Sequence, residues 1–183
     1  MNPMRLFKPL LPVLVCSVAS LAQAQTQELD DLFAELQQPD LATWENVETQ
    51  IWLEWSKSGS AAMDMLLQRG RDAIEAEDYE TAVEHLSALI DHAPQFAEGY
   101  NARATAYYHL ERFGQSIADI QQTLALNPRH FGALAGLASM LEQLGRDRDA
   151  LSIYRAAHAI HPHRPNVEDS IERLEKELND IAL

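Results

Sequence analysis

The sequence holds one cysteine, Cys16, and only seven glycines in 183 residues. A single cysteine excludes an internal disulfide and any zinc site built on several thiolates. Cations are scarce as well: 14 Lys and Arg stand against 28 Asp and Glu, a net charge of −14. Nucleic-acid binding rests on neutralising phosphates with Lys and Arg, so nucleic acid is excluded as the main partner. Long apolar runs are missing. The longest, Leu10 to Leu21, is broken by Pro12 and falls short of the roughly 20 residues that a bilayer span needs. Catalytic spacings are missing too: there is no G-x-S-x-G elbow, no glycine-rich phosphate loop and no H-E-x-x-H helix. Acids such as Glu75, Glu77, Asp78 and Glu80 read as a solvated face, not as an acid–base pair. The reading is therefore of a protein without catalysis, cofactor or metal. With hydrophobic residues at 46% and charged residues at 23%, the chain has the composition of a folded domain.

The first segment reads as an address. Arg5 and Lys8 precede the short apolar run, and Ala22-Gln23-Ala24 supplies small residues after it. This is the layout of a secretory signal over residues 1–24, with cleavage expected between Ala24 and Gln25 and no stable membrane insertion afterwards. Cys16 lies inside the apolar run behind Val15, so it is not placed for lipidation. Cleavage leaves an acidic, thiol-free chain, compatible with an oxidising compartment.

A period dominates the rest. Pro94, Pro128 and Pro162 are spaced by 34 residues, and the same offset aligns Gly70, Ala104 and Ala138, then Ala82, Ser116 and Ala150. Large apolar residues align in the same register: Leu66, Tyr100 and Leu134, then Leu86, Ile120 and Tyr154. Each unit reads as two helices with a tight corner: Met63–Ala76 with Tyr79–His92, Ala97–Leu110 with Phe113–Leu126, and Phe131–Leu144 with Arg146–Ile160. Corners fall at Glu77-Asp78, Glu111-Arg112 and Gly145-Arg146. Small residues let the paired backbones approach, and each proline ends a unit because it cannot continue a helix.

These residues resemble the tetratricopeptide repeat family. The stretch Gly99–Pro128, GYNARATAYYHLERFGQSIADIQQTLALNP, is similar to its consensus almost throughout. Departures are Ala73 where an aromatic is usual, Ser116 where alanine is usual, and Asp147 where Tyr79 and Phe113 stand in the other repeats. The resemblance implies an all-α, right-handed solenoid of three repeats, over residues 63–96, 97–130 and 131–164. Its concave face would be lined by the first helix of each repeat. The exposed side of those helices would present Asp64, Leu67, Arg71 and Ile74, then Glu98, Asn101, Thr105 and Tyr108, then Gly132, Ala135, Ser139 and Glu142. Of these, Leu67, Arg71, Ile74, Asn101, Thr105, Tyr108, Ser139 and Glu142 are the candidate peptide-binding residues. The tail clamp of tetratricopeptide cochaperones would want Lys and Asn at Leu67 and Arg71, Asn at Ala102, and basic residues at Gly132 and Gly136. Only Arg71 is basic, so an acidic chaperone tail is not the expected ligand.

The flanks depart from the period. Val167, Ile171, Leu174, Leu178 and Ile181 make one apolar stripe, read as a C-terminal capping helix over residues 165–183. Before the repeats, residues 25–60 read as a helical hairpin. Leu29, Leu32, Phe33 and Leu36 run to Pro39, and Trp44, Val47, Ile51 and Trp55 form a second stripe over about Ala42 to Lys57. All three tryptophans lie between positions 44 and 55. The hairpin is expected to cap the first repeat, with Trp52, off the stripe, as a possible partner patch. The segment from Ile51 to Leu67 resembles exported tetratricopeptide proteins of alphaproteobacteria, which implies a bacterial source and a periplasmic location. His158, His161 and His163, with His130, are a weak metal candidate and read better as helix-end and turn residues.

The expected function is that of an exported adaptor or scaffold that binds a protein or an extended peptide, basic or neutral, in its concave groove, as a monomer. The alternatives are an envelope structural factor that self-associates through the tryptophan-rich hairpin and, behind it, a periplasmic metal binder.

Overall fold

A computed structural model describes residues 27–181. The expected signal segment lies outside the described residues. Nine helices and no strands occur among them: α1 (27–36), α2 (Trp44–Trp55), α3 (Ala61–Glu75), α4 (Tyr79–His92), α5 (Ala97–His109), α6 (Phe113–Leu126), α7 (Phe131–Gln143), α8 (Asp147–Ile160) and α9 (Pro165–Ile181). The helices α3 to α8 pair as α3/α4, α5/α6 and α7/α8, and α3 also touches α5. The first helices of the first two repeats therefore adjoin, whereas α7 meets the second repeat through α6.

The 34-residue period reappears in the backbone. Glu77, Glu111 and Gly145 all adopt positive φ, at 59°, 57° and 69°. At each corner the following amide reaches back five residues, Asp78 to Ala73, Arg112 to Tyr107 and Arg146 to Leu141. This double turn satisfies carbonyls that the helix end would orphan, and glycine is its natural residue. Only the third repeat has one. Glu77→Gly and Glu111→Gly are therefore each expected to raise stability by roughly 0.5–1 kcal/mol, since they relieve a left-handed side chain. A shift of the urea midpoint to higher concentration checks this; a shift downward would mean that the glutamate side chains hold the corners.

The small residues sit where the period places them. Ala82, Ala104, Ser116, Ala138 and Ala150 are all buried. At Gly70 an added Cβ would come within 2.5 Å of Leu86. Ser116, the departure from alanine, donates its hydroxyl to the Ala104 carbonyl at 2.7 Å, so the buried polar group is satisfied. Beyond the third repeat, Val167 and Leu174 are buried and Ile171 and Leu178 half-buried against α7 and α8, so α9 covers that end of the stack.

The N-terminal hairpin is not a cap on the first repeat. The core that the first repeat shares with α5, made of Leu67, Leu86, Leu89, Ala102 and Ala106, takes no residue from it. The hairpin instead closes its own cluster of Leu32, Leu36, Val47 and Ile51 and takes Phe131 and Ile160 from the third repeat. Gln37 donates to the Ile160 carbonyl at 2.8 Å, and Arg129 pairs with Asp30 at 2.7 Å. The reason is geometric. Trp52 needs a neighbour without a side chain, and Gly132, at the start of α7, provides it: a Cβ there would lie 2.7 Å from the indole. The hairpin thus leaves the superhelix and lies across the inter-repeat turns.

Candidate functional site

The concave face divides into an open half and a half covered by α2. The open half is a cavity of about 310 Å³ between α5 and α7. Ala104, Ile120 and Met140 form an apolar floor, and Asn101, Thr105, Tyr108 and Ser139 stand around it. Gly132 and Gly136 also border it, and at Gly136 even an added Cβ would only graze Ile120 at 3.8 Å. Here the third repeat's wall is low enough for another backbone to approach closely. Tyr108 accepts a hydrogen bond from Gln143 at 2.6 Å, which fixes the phenol at the rim.

The expected groove residues separate into two groups. Asn101, Thr105, Tyr108 and Ser139 line the cavity together. Leu67 does not: it is 2% exposed and belongs to the first repeat's core. Helix α3 is rotated so that Leu67 packs toward α5, where Ala102 and Ala106 are small enough to receive it. Ile74 packs half-buried beside it. Glu142 is engaged by Arg173 of α9 at 2.7 Å. Arg71 is committed as well, donating to Glu98 at 2.7 Å and to the Ser56 hydroxyl at 2.9 Å.

That last contact reveals a hub with no obvious signal in the sequence. Glu98, 3% exposed, accepts from Arg71, from the Asn101 amide at 3.2 Å and from His130 Nε2 at 2.9 Å. His130 caps α7, with its Nδ1 accepting the Ala133 amide at 3.0 Å. The ring hydrogen therefore sits on Nε2 and is donated to Glu98. Trp55 of α2 stacks on that imidazole with centroids 4.3 Å apart. The one clue is an arginine and an acid on adjacent stripes of the presumed groove face, because a buried carboxylate requires a donor.

The second anchor is Glu48 with His161. Glu48 accepts from His161 Nε2 and from the Trp52 indole, each at 3.1 Å. Trp44 meets the His161 ring edge-on at 5.5 Å. Burial pushes the Glu48 carboxyl up, but the bonds from His161 and Trp52 and the charge of Arg164 outweigh it and hold the group below its ordinary 4.5. A depressed carboxylate stabilises the fold fully above its unfolded value, and that contribution is lost as pH falls through the folded one. Docking of the hairpin should therefore weaken from pH 4.5 downward, and Glu48→Gln should lack that part of the acid transition. Tryptophan emission against pH measures it; identical acid profiles of the two chains would remove Glu48 from the anchor.

Trp52 is not an exposed anchor. It is half-buried, edge-on to Trp55, His130 and Phe131 at 5.2 to 5.6 Å. Its neighbour Leu53, at 58% exposure, is the apolar side chain left facing out. Among the described residues no three His, Cys, Asp or Glu side chains are grouped to hold a metal ion, and His130 and His161 each turn Nε2 to a different carboxylate. Among the described residues no helix is long and apolar enough to cross a membrane.

With this geometry, the class is set by comparison. The family model described as tetratricopeptide repeat matches residues 67–119 and 101–165, and the chain belongs to the tetratricopeptide repeat family. It is 34% identical over 155 residues to a TPR repeat-containing protein of Rhizobium etli, covering 83% of this chain and 75% of that one. It is 26% identical to the small glutamine-rich tetratricopeptide repeat-containing protein 2 of Saccharomyces cerevisiae, of which it spans 40%. Among solved structures, the first TPR of Spaghetti bound to an HSP90 peptide superposes with a TM-score of 0.61 at 19% identity, covering 64% of this chain and 93% of that one. MamA superposes with a TM-score of 0.55 at 16% identity, over 86% of this chain and 84% of that one.

Proposed function

We propose that this protein is an adaptor that binds an extended segment of another protein on its concave face, by shape and hydrogen bonding, without a covalent step. The observation that carries this reading is the open cavity between α5 and α7, with an apolar floor, uncharged donors and acceptors around it, and Gly136 keeping one wall low. Thr105 and Ser139 can exchange hydrogen bonds with a peptide backbone, and Tyr108 offers an aromatic platform for a side chain.

The solved Spaghetti domain holds the peptide SRMEEVD, which supports a peptide as the ligand class. An acidic tail is not the ligand proposed for this chain. Arg71 is the one basic side chain at the positions that would clamp such a tail, and its guanidinium is committed to Glu98. With a net charge of −14, the surface favours a neutral or basic partner, and salt should weaken any electrostatic share of binding. Export to a periplasm and action as a monomer belong to the same proposal.

The test is capture by crosslinking from the native cell envelope, with wild type beside a Thr105→Ala, Tyr108→Ala, Ser139→Ala variant. A partner held by the wild type should fall at least tenfold with the variant. Capture that survives all three changes would remove the cavity as the binding site.

A further inference from the structure

The covered half of the concave face carries a more specific inference, one that rests on the reading of this groove as a protein-binding site. We propose that it is a helix-binding surface whose partner is an amphipathic helix with a tryptophan, a carboxylate one turn on and a second tryptophan one turn further, and that α2 occupies it in cis until such a helix exchanges with it.

Three observations support α2 as a resident ligand instead of a structural layer. First, the solenoid core closes without the hairpin: the clusters around Leu86, around Ile120 and around Leu174 contain none of its residues. Second, the contacts are those of a bound helix. Trp44, Glu48 and Trp52 recur at spacings of four, which places them on one face. Trp44 meets His161, Glu48 accepts from His161, and Trp52 rests over Gly132 against His130. Each recognition element on the solenoid, His130, Gly132 and His161, lies in or beside an inter-repeat turn. Third, the tether is short and turns sharply. Residues 56–60 join α2 to α3, and Gly59 adopts φ +83°, in open space where an added Cβ would meet nothing within 4 Å.

A tether of this length holds α2 at millimolar effective concentration, so a modest interface suffices to keep it docked. An outside helix must then bring better contacts or find the hairpin loosened. Displacement would uncover Phe131 and His130, both fully buried now. It would also join the covered half to the open cavity, because Gly132 borders both.

The probe is a fluorescein-labelled synthetic peptide spanning Ala42–Lys57, titrated by anisotropy into the full chain. The hairpin variant Trp44→Ala with Glu48→Gln leaves the receiving surface intact, and it should bind the peptide at least tenfold more tightly than wild type. Adding Gly132→Leu should abolish that gain, because its side chain would fill the indole's place. Equal binding by wild type and the hairpin variant, or binding by neither, overturns the proposal. If neither binds while the cavity variant still loses its captured partner, the groove reading stands and this one falls.

A second measurement holds even if the hairpin variant folds poorly. All three tryptophans lie in α2, so in wild type their emission reports the hairpin alone. In urea the emission change should come at lower denaturant than the loss of helical circular dichroism. Coincident transitions would make the hairpin an integral part of the fold and overturn the exchange.

Discussion

Glu98→Ala is expected to cost about 2–4 kcal/mol of stability. The carboxylate is almost fully buried and serves three donors, from Arg71, Asn101 and His130. Removing one member of a buried, hydrogen-bonded charge pair costs about 3–5 kcal/mol. The lower figure applies because the Arg71 side chain is a third exposed and can recover water. Most of the loss falls on His130, whose Nε2 hydrogen would be buried without an acceptor. Glu98→Gln should recover less than half, because one of its two amide atoms must face a donor with a donor. Urea denaturation of the three chains decides it. An alanine variant as stable as wild type would mean that water replaces the carboxylate and that the hub holds nothing together.

Phe131→Ala should cost about 3–5 kcal/mol, the range for emptying a buried phenylalanine site, and the loss should be uneven. Phe131 has no exposed surface, yet it packs with the hairpin's Leu32, Phe33 and Ile51, not with the three solenoid clusters. Trp52 and Trp55 approach its ring at 5.6 and 5.0 Å, and His161 at 4.8 Å. Tryptophan emission should therefore shift at much lower denaturant in the variant, while the helical signal of α3 to α9 moves by far less. Both signals falling together by the full amount would place Phe131 in the solenoid's own core.

The solenoid was legible because its packing is local and periodic. Each repeat solves the same close approach, so Gly70, Ala104 and Ala138 recur in register, and the corners at Glu77, Glu111 and Gly145 share one backbone shape. The position of the hairpin was not legible. Glu48 meets His161 across 113 positions, and no repeat or spacing encodes such a pair. Its helices could be read from Val47, Ile51 and Trp55, which are buried as the stripe predicts, but a stripe does not name the surface that covers it. The site divides in the same way. Thr105 and Tyr108 share a face of α5, Ser139 stands on α7, and the three line one cavity, whereas Leu67, on the corresponding face of α3, is drawn into the core. Helical spacing fixes which residues share a face; the rotation of that face depends on the size of the neighbours, and Ala102 and Ala106 leave room for a leucine.

The central claim is that the concave face receives a segment of another protein, and site-specific photo-crosslinking tests it most directly. A benzophenone side chain would replace Ser139 in the cavity or Glu84, exposed on α4, in the full chain expressed in its native cell. The account predicts one discrete adduct from position 139, none of that mass from position 84, and its loss when Tyr108→Ala and Thr105→Ala are added. The same adduct from both positions, or an adduct at 139 that survives those two changes, would contradict it.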